Sequence, residues 1–177
     1  MRIKKKNLII LGLTMLLSIK TPLFAHAGSN PLSPGAWVAE ENRISLLDTA
    51  PQKGSWQTRD LSIEYEVLPE EKSVQISGVV ELANYMTTSF NTLERLTIYI
   101  HVLKADGLVE DIKRIKTFSY RRNIDLIGRM AFDSRIDLSE DSVAIAFSYN
   151  GKVIQGGGGF GLDFWHFWKV PRRSPPA

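Results

Sequence analysis

The chain has 177 residues, enough for one domain with a hydrophobic core. Its formal charge of +3 is misleading, because five of the 22 basic residues lie in the first 27 positions, where no acidic residue occurs. The remaining chain has 17 basic and 19 acidic residues, a net charge of −2, which gives no electrostatic reason to expect binding to nucleic acid or to anionic membranes. The absence of cysteine excludes disulfides, thiolate nucleophiles, cysteine-ligated zinc and iron–sulfur clusters, and it leaves no residue for lipoprotein anchoring. No cofactor is expected.

The first 27 residues have the order of a secretory signal peptide. A short basic start is followed by an apolar run that Lys20 ends after about 12 residues, too few for the roughly 20 that span a bilayer. The small-x-small sequence Ala25-His26-Ala27 predicts cleavage after Ala27. An uncleaved amphipathic anchor is the alternative. No later stretch is apolar enough to span a membrane, so we expect an exported protein, periplasmic or extracellular.

Residues 28–55 are predicted to form a linker and an N-terminal arm. Ser33-Pro34 resembles the start of a helix, which would place Trp37 and Ile44 on one face. An extended arm that pairs at a sheet edge is favoured, because Pro51 and Gly54 close the segment early.

Residues 56–155 are predicted to form the folded domain. The two alternating runs 61–67 and 74–82 predict an antiparallel hairpin, with Gly78 as a bulge or a point of close approach. Residues 83–91 break the alternation and are expected to cross to a second sheet. The next run, Leu93–Leu103, is apolar on both faces, so it is predicted to be a central strand whose two sides are both covered.

Two dipeptides in the second half of this region predict hairpin turns. Asp106-Gly107 supplies the positive φ that a tight turn needs, and Asn150-Gly151 is the strongest turn signal in the chain. About seven short strands without a βαβ unit predict a single antiparallel β-sandwich of immunoglobulin-like type.

Residues Val74 to Leu108 resemble the FxLYD-type immunoglobulin-like modules of bacterial surface and periplasmic proteins. The resemblance rests on a strand VQISGVVEL and a later strand LTIYIHVLKADG that ends in Asp-Gly. The segment Val102–Asp106 stands where those modules carry Phe-x-Leu-Tyr-Asp. The resemblance implies the fold and an envelope setting, and it carries over no functional residue.

Few residues suggest catalysis or metal binding. His101 lies within a strand between apolar neighbours, which favours a buried sheet histidine over a catalytic base. Glu64 and Glu66 lie about 7 Å apart along one face of a strand, a spacing compatible with paired-acid chemistry but also with any amphipathic strand. Four acidic residues near a turn offer oxygen atoms to calcium, although such clusters are usually only solvated: Asp133, Asp137, Glu140 and Asp141. No metal site is predicted.

The region 156–177 is predicted to be a glycine hinge, Gly156–Gly159, followed by an aromatic C-terminal segment. As a strand, this segment would show Phe164, His166 and Trp168 on one side and Trp165, Phe167 and Lys169 on the other. It either packs on the sandwich, covering the second face of Leu93–Leu103, or stays exposed to bind a protein, a glycan or a lipid interface. The candidate binding residues are Phe160, Phe164, Trp165, His166, Phe167 and Trp168.

The sequence therefore predicts an exported, non-enzymatic protein-binding or assembly module of the bacterial envelope. Two alternatives remain open. One is a small glycan-binding or glycan-hydrolysing protein, which would use His101 or the pair Glu64 and Glu66 if it were an enzyme. The other is a purely structural, oligomerising subunit.

Overall fold

The computed structural model describes residues 33–48, 50–119, 122–124, 127, 129–155 and 163–173. The predicted signal peptide, the glycine hinge and Phe160 lie outside the described residues.

The described chain is mostly β-strand and contains one short α-helix. The strands are β1 Trp37–Val38, β2 Ile44–Ser45, β3 Gln52–Gln57, β4 Leu61–Pro69, β5 Ser73–Leu82, β6 Thr92–Leu103, β7 Val109–Phe118, β8 Arg122–Asn123, β9 Met130–Asp137, β10 Ala144–Gln155, β11 Asp163–Lys169 and β12 Arg172–Arg173. Helix α1 spans Asn84–Ser89, and a 3-10 turn spans Glu40–Asn42.

The strands form two antiparallel sheets with the main core between them. The smaller sheet has the order β3-β4-β5-β9, and the larger has the order β11-β10-β6-β7, with β2 added to β10 and β8 added to β6. A separate two-stranded ribbon pairs β1 with β12. The prediction of an all-β sandwich is therefore confirmed, whereas its immunoglobulin-like type stays a prediction.

The hairpin and the crossover that alternation predicts are both present. Strands β4 and β5 pair in register from Leu61↔Leu82 to Pro69↔Val74, and their alternate apolar side chains face the core. Helix α1 then connects β5 of the smaller sheet to β6 of the larger sheet.

Strand β6 is the centre of the larger sheet, as its apolar composition predicts. It pairs with β10 on one side and with β7 on the other. Its inner face is buried in the main core, and His101 and Leu103 on its outer face are also completely buried. A second cluster that includes Val38, Leu103 and Val109, with Val170 packed against it, covers one end of the outer face.

That cover is not the one expected. The described part of the aromatic segment is β11, which extends the larger sheet beside β10 and does not form a layer over β6. The N-terminal arm supplies Val38 to the cover instead. Pairing with β10 satisfies the backbone N–H and C=O groups that β11 directs toward that strand, which a layer packed on the sheet face by its side chains would leave unmet.

The extended arm is confirmed, and the alternative helix is wrong. Within the described residues 33–48, the single helical element is the three-residue 3-10 turn, and β2 pairs with the start of β10. The guanidinium group of Arg43 donates from Nη2 to the carbonyl oxygen of Val38 at 2.8 Å and to that of Asp106 at 3.0 Å. This side chain ties the arm to the β6–β7 turn, where Gly107 has the predicted positive φ of +86°.

The predicted turn at Asn150-Gly151 is wrong, because β10 continues through both residues. Gly151 lies opposite Phe167 of β11, and a Cβ atom at Gly151 would stand 2.1 Å from the Phe167 ring. The absence of a side chain at Gly151 thus leaves room for the Phe167 ring. Gly78 has the same relation to Phe132, which confirms the predicted close approach at this position.

A polar cluster also joins the two sheets. The Tyr149 hydroxyl donates to Oδ2 of Asp60 at 2.7 Å and lies 3.0 Å from Oγ1 of Thr58, and the Tyr85 hydroxyl donates to Oδ1 of Asp60. Burial, together with hydrogen bonding to Asp60, raises the pKa of Tyr85 to about 12, and burial raises the pKa of Tyr149 as well. Both tyrosines therefore remain protonated donors at neutral pH.

Within the described residues, no helix combines the length and apolar character needed to cross a bilayer.

Candidate binding strand

Strand β11 lies at the edge of the larger sheet. It pairs with β10 from Tyr149↔Lys169 to Gln155↔Asp163, and the described residues pair it on that side only. An edge strand presents alternate backbone N–H and C=O groups that another strand can bind.

Phe167 holds this strand against the core. Its side chain is only 3% exposed, it covers Gly151, and its ring centroid lies 5.9 Å from that of Tyr149. Aromatic pairs at this separation stabilise by burial and by their ring geometry. The anchor fixes which side of β11 faces the core.

The other aromatic side chains of β11 are exposed. Phe164 is 50% exposed, Trp165 is 55% exposed and Trp168 is 54% exposed, while Leu47 and Leu68 are the remaining large exposed apolar residues of the described chain. Three of these five side chains thus fall within one seven-residue strand. Large apolar side chains concentrated and exposed on one short strand are typical of interaction sites.

Alternation assigns Trp165 to the core side with Phe167, yet Trp165 remains exposed. Its ring lies 6.4 Å from that of Phe90, just after α1. The register places Phe164, His166 and Trp168 on one side of β11 and Trp165, Phe167 and Lys169 on the other, as the alternation predicts. Of these six residues only Phe167 is buried.

Polar groups lie beside these rings on β10 and β6. The ammonium group of Lys152 lies 4.0 Å from the centroid of the Phe164 ring, and its Nζ is 2.8 Å from Oε2 of Glu94. Asn150, which is opposite Trp168, donates from Nδ2 to the Tyr99 hydroxyl at 3.1 Å. Sequence reasoning missed all four polar residues. Lys152 and Asn150 lie beside β11 only because β10 continues through Asn150-Gly151, and these two residues contact Glu94 and Tyr99 on β6.

His101 lies on the opposite side of β10 from β11, in the adjacent strand β6. It is 0% exposed, and its Nε2 shares a hydrogen bond of 2.6 Å with the buried hydroxyl of Ser148. Its Nδ1 has no hydrogen-bond partner among the described residues. A completely buried imidazole cannot contact a substrate in this conformation. Burial lowers the pKa of His101 to about 4, so the ring is neutral at pH 7.

The burial of His101 predicts a loss of stability in mild acid. Unfolded histidine has a pKa near 6.5, so between about pH 6.5 and 4 the unfolded chain binds a proton that the folded chain does not. The free energy of unfolding should therefore fall by about 3 kcal/mol as the pH decreases through this window. Urea unfolding at several pH values measures this change.

The matched variant His101→Gln can still donate to Ser148 but does not titrate. The difference in stability between the wild type and this variant should shrink or reverse in acid. If the two proteins show parallel pH profiles, His101 is not held neutral by the fold.

Glu64 and Glu66 lie on the smaller sheet, not beside β11. Glu64 Oε2 is 2.9 Å from Arg129 Nη2, and Glu66 Oε2 is 3.2 Å from Lys53 Nζ. They line a shallow depression whose floor includes Gly78 and Phe132. Each carboxylate thus has a cation beside it, and His101 and this pair are not brought together.

The acidic residues considered for calcium are dispersed. Asp141 Oδ2 lies 3.4 Å from the ammonium group of Lys104, while Asp133 accepts long hydrogen bonds of 3.4 Å from Gln75. The part of the chain that the structure describes contains no group of three or more His, Asp or Glu residues placed to share a metal ion.

Comparison with protein-family models, with curated proteins and with solved structures gave no match. The resemblance to FxLYD-type modules therefore stays a prediction.

Proposed function

We propose that the chain is an exported protein-binding or assembly module of the bacterial envelope, and that β11 is its contact strand. One observation carries this proposal: Phe164, Trp165 and Trp168 are each about half exposed on an edge strand that Phe167 anchors to the core.

Two physical properties of β11 support this function. An edge strand can accept a partner strand through its backbone, and side chains on both of its faces then give specificity. Tryptophan and other large aromatic residues contribute disproportionately to the free energy of protein–protein binding when a partner buries them. Because Phe167 fixes β11, the exposed rings require little ordering when they bind.

The double substitution Phe164→Ala/Trp168→Ala tests the proposal. We expect the affinity for an envelope protein captured by the wild type to decrease about 30-fold or more, as for the loss of a binding hot spot. The measurement is affinity capture from envelope extract, followed by titration of the captured protein.

The matched control is Leu47→Ala/Leu68→Ala, which removes two other exposed apolar side chains outside β11. This control should bind as the wild type does. If Phe164→Ala/Trp168→Ala retains wild-type affinity while folding normally, β11 is not the contact strand.

Glycan binding is the second candidate function, and the outer face of the sheet favours it. Phe164 and Trp168 lie there beside Lys152 and Asn150, so apolar rings adjoin hydrogen-bonding side chains. Small-molecule sites commonly combine these two kinds of group. Co-sedimentation with protein-free cell-wall polysaccharide distinguishes the candidates, because only a glycan-binding protein would pellet with it in a Trp168-dependent way.

A further inference from the structure

The sequence of β11 is complementary to itself when reversed. Its seven residues, DFWHFWK, have His166 at the centre, with aromatic residues on both sides and opposite charges at the two ends. An antiparallel copy centred on His166 would place Phe164 opposite Trp168, Trp165 opposite Phe167, and Asp163 opposite Lys169.

Geometry restricts the ways in which two β11 strands can pair. A two-fold axis perpendicular to the sheet keeps each face of β11 on the same side in both copies, so paired residues must come from the same face. The axis must then pass through a residue, which leaves His166, Trp165 and Phe167 as the central choices.

Of these three registers, only the one centred on His166 uses the whole strand. Centring on Trp165 pairs residues 163–167 only, and centring on Phe167 pairs residues 165–169 only. With the axis at Trp165, Asp163 lies opposite Phe167 and Lys169 has no partner within β11. With the axis at Phe167, Lys169 lies opposite Trp165 and Asp163 has no partner within β11. The unlike charges meet only in the full-length register, which selects it.

We propose that two copies of this chain associate through β11, as an isologous dimer with its two-fold axis at His166. The proposal rests on the proposed function of β11 as the contact strand, and it identifies the partner as a second copy of the chain. The two larger sheets would become one continuous sheet through the shared edge.

Such a dimer would bring the exposed aromatic side chains of the two copies into contact. Phe164 of each copy would lie beside Trp168 of the other on the outer face, and directly opposed aromatic pairs stabilise antiparallel strands. On the inner face, each half-exposed Trp165 would lie beside the anchored Phe167 of the other copy. Lys169 is exposed and therefore accessible to an acidic residue of the second copy.

Charge exchange tests both the partner and the register. The single variants Asp163→Lys and Lys169→Asp each place two like-charge pairs in the homodimer, which should weaken self-association about tenfold or more. An equimolar mixture of the two variants restores two opposite-charge pairs, so it should form a heterodimer. The double variant Asp163→Lys/Lys169→Asp should form a homodimer again. Sedimentation equilibrium of the exported protein, across a wide range of protein concentrations, measures each species.

Dimers in the wild type, in the mixture and in the double variant, together with monomers in each single variant, would support the proposal. A wild type that remains monomeric would overturn it, as would single variants that dimerise like the wild type. Circular dichroism verifies that the single variants fold, and the mixture restores association only if they do. Failure of the dimer can be distinguished from failure of the proposed function. If the wild type is a monomer but Phe164→Ala/Trp168→Ala abolishes binding to an envelope protein, the dimer is overturned and β11 remains the contact strand.

Discussion

Replacing Phe167 with alanine is expected to lower the free energy of unfolding by about 3–5 kcal/mol, the usual cost of removing a buried phenylalanine ring. The ring is almost completely buried, it covers Gly151, and it contacts Tyr149. Its removal leaves a cavity above the backbone of Gly151, which has no side chain to fill it. Urea unfolding followed by tryptophan fluorescence measures the effect.

The neighbouring substitution Trp168→Ala is the control, because it removes a larger ring from the same strand. Trp168 is half exposed, so its loss should cost about 1 kcal/mol or less. If both substitutions destabilise the fold equally, Phe167 does not anchor β11 more strongly than the exposed Trp168 does.

Replacing Phe147 with alanine is expected to destabilise the sandwich by about 3–5 kcal/mol, and to do so by separating the two sheets. Phe147 belongs to β10 of the larger sheet, and its ring meets three rings of the smaller sheet: Trp56 at 5.9 Å, Tyr65 at 5.3 Å and Phe132 at 6.4 Å. Each such aromatic pair adds stabilisation beyond the burial of its area. Chemical unfolding gives the free-energy difference.

Phe147→Leu is the matched variant, because leucine retains much of the buried volume but removes the aromatic pairs. It should cost clearly less than Phe147→Ala. Equal losses in the two variants would mean that the ring contacts, and not the filled volume, hold the sheets together. A negligible loss in Phe147→Ala would contradict the observed core.

The elements that local patterns determine were predictable from the sequence. The alternation in 61–67 and 74–82 specified a hairpin, and the two apolar faces of Leu93–Leu103 specified a central strand. Asp106-Gly107 forms a turn because glycine adopts the positive φ that the turn requires. Each of these features depends on residues that are close together in the chain.

The features that depend on distant residues were not predictable. Asn150-Gly151 has the composition of a turn but lies within a strand. The glycine is needed there because the Phe167 ring occupies the space that a side chain at position 151 would take. Part of the cover of Leu103 comes from Val38, more than 60 residues earlier in the chain, which no local pattern indicates. The role of a glycine within a strand therefore becomes clear only when the residue packed against it is known.

The candidate site was predictable only in part, because its exposure also depends on distant residues. Aromatic composition drew attention to residues 160–168, and period-two alternation separated Phe167 from Phe164 and Trp168. Which side of β11 is buried depends on how the strand pairs with β10, so the exposure of its side chains could not be predicted from the sequence. The edge position of β11 adds the backbone groups that make those side chains accessible to a partner strand.

The most direct test of β11 as the contact strand is site-specific photo-crosslinking in intact cells. A photoreactive amino acid at Trp168 should give discrete covalent adducts with a protein partner or with a second copy of the chain. The same amino acid at Leu68, on the smaller sheet, should give none. Adducts at Leu68 without adducts at Trp168 would contradict the account and move the contact surface to the other sheet.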